Sequence, residues 1–273
     1  MKCKLLVVLC LPVWLMAQQR YEAGVMLGGM SYNGDLGPRT FQDHFEMPHL
    51  AAGVFVRQHF NKFFSAKVNL AHGNISGDDR SWGNKDSRYK RNLNFKSAVS
   101  EIAVTGELNL LPYLPESMNR FYSPYVFAGL SLFHFNPKAK YQGTWIELQP
   151  LGTEMQGGDK YARTQIAIPM GLGFRFAAEP GMHIGVELGG RKTFTDHLDD
   201  VSGTGMYDPA AAKSGDLMSI LSYRAANAPA GYVSDGRTTG VLEVKRGNPK
   251  AKDWYYFGAV TLSFDLNTFK AKE

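Results

Sequence analysis

The spacing of strand-like segments is the feature of this sequence that most constrains its fold. About eight segments alternate apolar and polar residues, and the links between them are in turn long and short along the chain. A two-residue alternation is typical of β-strands with one apolar and one polar face. If consecutive strands run up and down, the short links all fall at one end of the molecule and the long links at the other, as in a β-barrel.

The segments are separated clearly enough to be given bounds. The predicted strands are 21–32, 50–60, 63–72, 100–111, 122–135, 163–176, 182–194 and 254–266. The predicted long loops are 33–48, 73–91, 136–162 and 195–252. Short turns are expected near Asn61, Pro115 and Pro180, where turn-forming residues separate neighbouring strands.

The polar faces of these strands distinguish a membrane barrel from a soluble one. They carry charged residues near the middle of long strands: Lys67, Glu101, Glu107, Arg175, Glu187 and Arg191. The interior of an eight-stranded barrel is just wide enough to be filled by side chains, so these charges could pack there as a paired polar interior. The apolar faces would then meet hydrocarbon. A soluble lipocalin-like barrel has the opposite arrangement and would place the same charges in water.

Aromatic residues near the strand ends favour the membrane arrangement, because bands of Tyr and Trp mark both interfaces of a membrane barrel. The aromatic residues in question are Tyr21, Tyr32, Tyr122, Tyr125, Trp254, Tyr255 and Tyr256. The sequence therefore predicts an all-β fold, an eight-stranded antiparallel transmembrane β-barrel with long extracellular loops and short periplasmic turns. Such a barrel would contact outer-membrane lipid.

The N-terminal segment predicts export from the cytoplasm. Lys2 and Lys4 precede an apolar run over 5–16, and Ala17 precedes two polar residues. A run of this length is too short to span a bilayer as a helix and is typical of a secretory signal peptide. We therefore expect a signal peptide at 1–17 and an outer-membrane barrel domain at 18–273. The alternative is a lipoprotein signal that uses Cys10.

Composition excludes several classes of function. Both cysteines, Cys3 and Cys10, lie in the predicted signal, so no disulfide framework, thiolate metal site or cysteine nucleophile is expected after it. The formal charge of +5 is too small to indicate binding of nucleic acid. The sequence contains no GxSxG, HExxH or phosphate-binding GxxxxGKS/T motif. No cofactor and no small-molecule substrate are predicted.

One polar cluster could carry chemistry. Asp196, His197, Asp199 and Asp200 follow a predicted strand on the long-loop side. A histidine oriented by a carboxylate can activate water as a general base, which would make this a hydrolytic site at the barrel rim. One alternative is a structural role, in which the aspartates cap turns and fix the loop. Another alternative is that they bind a divalent ion.

A second acidic pair could approach that cluster across the rim. Asp78 and Asp79 lie in the loop after the third strand, and two acidic pairs would make a stronger cation site than one. The alternative is a solvated turn built on Gly77. The basic stretch 80–91 that follows could meet anionic lipopolysaccharide headgroups, or it could simply be a solvated loop.

Several blocks of the sequence resemble a PorG-like, DUF6089-like outer-membrane family of Bacteroidetes. The matching blocks are 21–38, 76–80, 123–137, 147–157, 191–203 and 246–266. The loop blocks ELQPLGTEMQG and RKTFTDHLDDVSG are the most specific, because neither strand alternation nor turn chemistry requires them. The resemblance implies an outer-membrane barrel that associates with periplasmic ring components of the type IX secretion system, which in some bacteria also serves gliding adhesins.

The first functional hypothesis is therefore a non-enzymatic barrel that anchors partners of a secretion apparatus, since a lumen plugged by its own side chains could not conduct cargo. The second is a rim-site hydrolase that uses His197 with Asp196 or Asp199. The third is a generic adhesin-like barrel that binds through loop 195–252.

Overall fold

The computed structural model of the protein describes residues 20–37, 48–82, 89, 91–115, 121–154, 160–202, 217–222, 224, 247–248 and 250–266. The predicted signal peptide and much of the predicted loop 195–252 lie outside these residues. The same is true of Lys85, Arg88 and Lys90 in the basic stretch. The predictions made for those segments stay predictions.

The described residues are almost entirely β-structure. The strands are β1 (Arg20–Asn33), β2 (His49–His59), β3 (Phe64–Asp78), β4 (Asn94–Asn109), β5 (Tyr122–Tyr141), β6 (Thr144–Glu147), β7 (Thr164–Glu179), β8 (Met182–Thr193) and β9 (Trp254–Asp265). The short helices are a 3-10 turn (Asp79–Trp82), α1 (Leu148–Leu151) and α2 (Leu217–Ser222). Within the described chain, no helix is both long enough and apolar enough to cross a membrane.

The strands close into a barrel. β1 to β5 pair in chain order, β5 continues to β7, β8 and β9, and β9 pairs back with β1, all antiparallel. β6 pairs only with the far end of β5 and extends it as a hairpin. The barrel wall therefore has eight strands, which confirms the predicted fold class. At the closing seam, Glu22 of β1 stands opposite Asp265 of β9.

Side chains alternate between the lumen and the outer surface, because successive residues of a strand point to opposite faces. In β4, Glu101, Thr105 and Glu107 are buried, whereas Ile102 and Val104 are exposed. Large exposed apolar side chains recur on the other wall strands, among them Leu27, Val54, Leu70, Leu130, Leu172, Leu188 and Val260. The barrel is thus apolar outside and charged within, the inverse of a soluble barrel.

Short turns and both chain ends of the barrel share one end, which we call the short-turn end. The Asn61 side chain accepts hydrogen bonds from the backbone N–H groups of Phe63 and Phe64 at 2.8 and 2.9 Å, which reverses the chain between β2 and β3. Between β7 and β8 the chain turns at Pro180 and Gly181, and Gly181 has a φ of 79°. The opposite end carries the other connections, and we call it the long-loop end.

The largest departures from the predicted strand bounds are extensions of β3, β4 and β5, and β4 begins at Asn94 instead of at residue 100. β3 continues to Asp78 and pairs with β4 up to Asn94, although 73–91 was expected to be a loop. β5 continues to Tyr141 and pairs with β6 inside the expected loop 136–162. The β3 extension (73–78) is rich in glycine and polar residues, and the β5 extension (136–141) is rich in polar and charged residues, so the hydrophobic alternation fades while the backbone ladder continues. The loop boundaries predicted there were wrong for that reason.

The lumen is filled differently in its two halves. The long-loop half holds an apolar and aromatic core that includes Met30, Phe95, Phe133, Phe135 and Tyr255. Charged side chains are concentrated in the other half and at mid-depth. A paired polar interior was predicted from the sequence, whereas the apolar core of the long-loop half was not. Tyr32, Tyr125 and Tyr255 are also buried in the lumen, not placed in an outer aromatic band, because the two-residue alternation turns them inward.

Gly28 at the closing seam offers a test of how tightly the barrel packs. A Cβ at this position would lie 1.8 Å from the carbonyl oxygen of Gly258 in the paired strand β9. Overpacking of this kind typically costs about 1–3 kcal/mol, so Gly28→Ala is expected to lower the free energy of unfolding by that amount. The measurement is urea unfolding in detergent micelles. Gly106→Ala is the matched control, since its Cβ would meet nothing nearer than 3.9 Å, and an equal loss in both variants would contradict the prediction.

Candidate functional site

The six lumen charges predicted from the sequence are all buried inside the barrel. Glu107 of β4 is the centre of the largest group. It accepts a hydrogen bond from Arg57 Nε at 2.9 Å, one from Arg175 Nη2 at 2.7 Å and one from the Ser65 hydroxyl at 3.1 Å. Arg57 also reaches Glu22 on the closing seam at 2.8 Å. These contacts join β1, β2, β3, β4 and β7 within the lumen.

Lys67 of β3 and Glu187 of β8 face each other across the barrel. The Lys67 Nζ lies 2.5 and 2.6 Å from the two carboxylate oxygens of Glu187, and 3.6 Å from Glu107. The Tyr125 hydroxyl donates to Glu187 at 2.7 Å, and the Arg175 guanidinium lies 4.0 Å from the centre of the Tyr125 ring. Opposite charges are thus matched within the lumen, as buried ions require. The group formed by Glu22, Arg57, Lys67, Glu107, Arg175 and Glu187 is called the lumen charge network below.

Glu101 and Arg191 form a separate pair nearer the middle of the barrel. The two nitrogens Arg191 Nε and Nη2 lie 3.2 Å from the two oxygens of Glu101, a bidentate arrangement. The Tyr255 hydroxyl donates to Glu101 at 2.6 Å. This pair separates the lumen charge network from the aromatic core. Together the three layers fill the lumen along the barrel axis.

Sequence reasoning missed two members of the network. Glu22 and Arg57 are buried as deeply as the predicted residues, but they lie in β1 and β2, whose alternation is interrupted by glycine and alanine. A usable signal was present in each strand. Glu22 is in phase with Met26 and Met30, and Arg57 is in phase with Phe55, so a strict two-residue count would have assigned them to the inner face.

The predicted acidic cluster lies over the long-loop end and is built around a shared proton. Asp199 and Asp253 both contact the Tyr32 hydroxyl oxygen, at 2.7 and 2.8 Å. A phenol has one proton to donate, so one of the two contacts requires a protonated carboxyl. The other oxygens of the two carboxyls accept the backbone N–H groups of Leu198 and Val201, and the Leu36 N–H donates to the Asp199 oxygen that also contacts Tyr32. We call Tyr32, Asp199 and Asp253 the loop clasp.

Burial sets the titration of the two carboxyls in the loop clasp. It raises the pKa of Asp199 well above its ordinary value, and the neighbouring Asp253 adds to that shift. Burial also raises the pKa of Asp253 to about 8, although hydrogen bonds from Tyr32 and the Leu198 N–H act in the opposite direction. Two carboxyls held this close cannot both ionise easily, so the pair keeps a proton at neutral pH.

The other members of the predicted cluster make different contacts. Asp200 accepts hydrogen bonds from the hydroxyls of Thr153 and Tyr161, which fasten the loop after α1. His197 stacks on the Tyr161 ring with centroids 4.6 Å apart. Both oxygens of Asp196 are buried without a hydrogen-bond partner among the described residues, and burial raises its pKa to about 6. Among the described residues, Asp196 therefore does not hydrogen-bond to His197.

Asp79 does approach this cluster, but an arginine lies between them. Arg91 donates to both oxygens of Asp79, at 2.6 and 2.8 Å, and to the backbone oxygen of Asp35 at 3.0 Å. Burial lowers the pKa of Arg91, yet Asp79, Asp199 and Asp35 raise it above its ordinary value. Asp78 is exposed and accepts the backbone N–H of Arg80. Of the acidic residues proposed as cation ligands, Asp79 is thus already paired with a guanidinium.

Comparison with solved structures finds barrels of outer-membrane and bacterial surface proteins. The Neisserial surface protein A is 9% identical with a TM-score of 0.43, over 90% of this chain and 97% of that one. Ail, the attachment invasion locus protein of Yersinia pestis, is 8% identical with a TM-score of 0.39, over 91% and 100%. The N-terminal β-barrel domain of Pseudomonas aeruginosa OprF is 8% identical with a TM-score of 0.37, over 90% and 100%.

Comparison at the level of sequence gives a family but no characterised relative. No curated protein matches the chain. Residues 2–219 match a family described as a domain of unknown function, DUF6089. That match covers well over half of the chain, so this protein belongs to the DUF6089 family.

Proposed function

We propose that the protein is a non-enzymatic barrel of the bacterial outer membrane that anchors periplasmic ring components of a type IX secretion apparatus, and of the gliding apparatus where one exists. The observation that carries the proposal is the combination of an apolar outer wall with a lumen filled by paired charges and aromatic rings. A barrel built this way suits a bilayer and offers cargo no passage, which favours an anchoring role.

The apolar wall supports the membrane location. Soluble monomers rarely expose contiguous apolar patches larger than a few hundred Å². Here exposed aliphatic residues recur on every wall strand, and they include Leu27 at 59%, Leu172 at 64% and Leu50 at 73% exposure. Lipid is the solvent in which such a surface is stable, and a closed barrel satisfies its backbone hydrogen bonds there.

The secretion role rests on the sequence blocks that resemble the PorG-like family of Bacteroidetes. The two most specific blocks contain residues whose hydrogen bonds hold the loops in place. Block 191–203 contains Asp199 and Asp200, and block 147–157 contains Thr153. The specific blocks are thus used to hold the long-loop end together. The short-turn end, with the turns near Asn61 and Pro180, is left as the surface for periplasmic partners.

Cross-linking from defined positions tests which end meets the partners. A photo-activatable amino acid at Asn61 is expected to capture periplasmic ring proteins in native envelopes, because this exposed turn lies at the short-turn end. Gln142, in the exposed hairpin turn at the other end, is the matched control and should capture none of them. Deletion of the gene should abolish export of type IX cargo, and the full chain should restore it. Normal export in the deletion strain would contradict the proposal.

Conductance measurements test separately whether the side chains in the lumen close the barrel. Because the lumen charge network and the aromatic core fill the barrel along its axis, the purified protein is expected to show no resolved conductance steps in planar bilayers. A porin of known conductance, reconstituted in parallel, controls for insertion. Large and stable openings would show that the lumen is a channel and would remove the argument for a passive anchor.

A further inference from the structure

Three buried polar atoms at the short-turn end of the lumen point towards one another without forming hydrogen bonds. They are His183 Nε2 of β8, Asp265 Oδ1 of β9 and Arg20 Nε of β1, and none has a hydrogen-bond partner among the described residues. His183 Nε2 lies 3.2 Å from Asp265 Oδ1, and Arg20 Nε lies 3.3 Å from the same oxygen. His183 is 1% exposed, so its Nε2 has no access to bulk water to compensate.

Glu22 completes this cluster. Its Oε1 lies 3.8 Å from His183 Nε2, and one ligand atom from each of Glu22, His183 and Asp265 lies within 4.8 Å of the other two. Ligands around a tetrahedral zinc ion, bound at about 2.0–2.1 Å, stand roughly 3.4 Å apart. The spacing of the three ligand atoms is therefore close to what a small divalent cation needs.

We propose that Glu22, His183 and Asp265 form a binding site for a first-row divalent metal ion, of which Zn²⁺ is the natural probe. One imidazole nitrogen and two carboxylate oxygens are ligands that such ions accept, and an imidazole ligand argues against Ca²⁺ or Mg²⁺. The ligands come from β1, β8 and β9, so the ion would fasten the seam at which the first and last strands close the barrel. This site is independent of the secretion role proposed above.

Tyr113 orients the imidazole for this purpose. Its hydroxyl oxygen lies 2.7 Å from His183 Nδ1. When Nδ1 carries the ring proton and donates it to that oxygen, Nε2 presents its lone pair to the site. Metal-bound histidines are held by such outer hydrogen bonds, and loss of one typically weakens metal binding about 10–100-fold.

Arg20 is the competing cation in the site. Its guanidinium lies 3.1 Å from Glu22 Oε1 and 3.3 Å from Asp265 Oδ1, so it neutralises the two carboxylates that the ion would use. The side chain of Arg20 is 22% exposed, more than those of Glu22 and Asp265, and it can swing out towards the periplasmic side. His59 Nε2 also lies 2.5 Å from Glu22 Oε1, so metal binding requires displacement of this guanidinium and release of that oxygen from His59.

Zinc titration of the purified full-length mature protein in detergent micelles tests the site. We expect one Zn²⁺ per chain by calorimetry with zinc chloride, with binding weakened at least about tenfold in His183→Gln and about tenfold in Tyr113→Phe. Arg20→Met should tighten binding, whereas Lys62→Met, an exposed cation at the same end, should not change it. His134→Gln, an exposed histidine on the outer wall, is the control for non-specific zinc.

Folding of each variant is checked by circular dichroism, and Asp265→Asn is a second ligand variant at the less buried edge of the site. Absorption spectra at the zinc edge should show one imidazole with oxygen ligands. The inference is overturned if zinc does not bind stoichiometrically, if His183→Gln and Asp265→Asn both leave binding unchanged, or if Ca²⁺ binds in preference to Zn²⁺.

Discussion

Replacement of Glu107 by alanine is expected to lower the free energy of unfolding by about 3–5 kcal/mol, the cost of leaving buried charges without their partner. Glu107 lies within hydrogen-bonding distance of Arg57 and Arg175 and 3.6 Å from Lys67, and all four residues are buried in the lumen. The Arg175 guanidinium donates a hydrogen bond to Glu107 through Nη2. Its other nitrogens, Nε and Nη1, have no hydrogen-bond partner among the described residues.

Urea unfolding in detergent micelles, followed by tryptophan fluorescence, measures the effect. The control is Glu179→Ala, which removes an exposed carboxylate at the end of β7 and should change stability by no more than about 0.5 kcal/mol. Glu107→Gln keeps the hydrogen-bonding shape but removes the charge, so it should fall between the two. If Glu107→Ala is as stable as the control, the lumen charges contribute nothing to the stability of the barrel. They could then not be what holds the packed lumen together.

Most of the barrel could be predicted from the sequence because its two faces differ so much in polarity. An apolar outer face and a polar inner face impose a strict two-residue alternation, and the alternation of β3, β4, β7, β8 and β9 assigned Lys67, Glu101 and Glu187 to the face on which the structure places them. At the far ends of β3 and β5, beyond the exposed aliphatic residues of the outer wall, the contrast in polarity between the two faces disappears. The strand bounds were missed in those places.

The contacts of the charged residues could not be predicted, since they depend on register and on closure. Lys67 and Glu187 lie 120 positions apart in the sequence and meet only because β3 and β8 face each other across the lumen. Asp253 was missed in the acidic cluster for the same reason, because closure of β9 against β8 brings it to Asp199. Pattern reasoning gave the face of each strand, but the partner of each charge required the closed barrel.

Alkaline pH is expected to open the loop clasp. Asp253 has its pKa raised by burial to about 8, while an unfolded aspartate titrates near 4. When the pKa of a carboxyl is higher in the folded than in the unfolded protein, its contribution to stability is fully present at a pH below the unfolded-state pKa. That contribution is lost as the pH rises through the folded-state pKa. Between about pH 4 and pH 8 the loss should be roughly 1.4 kcal/mol per pH unit for the proton that the pair retains.

Hydrogen exchange measures this loss where it arises. The backbone N–H groups of Leu36, Leu198 and Val201 donate to the two carboxyls, so their protection should fall between pH 6 and pH 9 after correction for intrinsic exchange. Asp253→Asn should reduce that dependence to the part that Asp199 contributes, because an amide can accept from the Leu198 N–H and donate to the Tyr32 oxygen, as the protonated carboxyl does. Asp78→Asn, at an exposed carboxylate of the same end, should leave the dependence intact. Equal pH profiles for the wild type and Asp253→Asn would mean that the titration of Asp253 does not control the loop clasp.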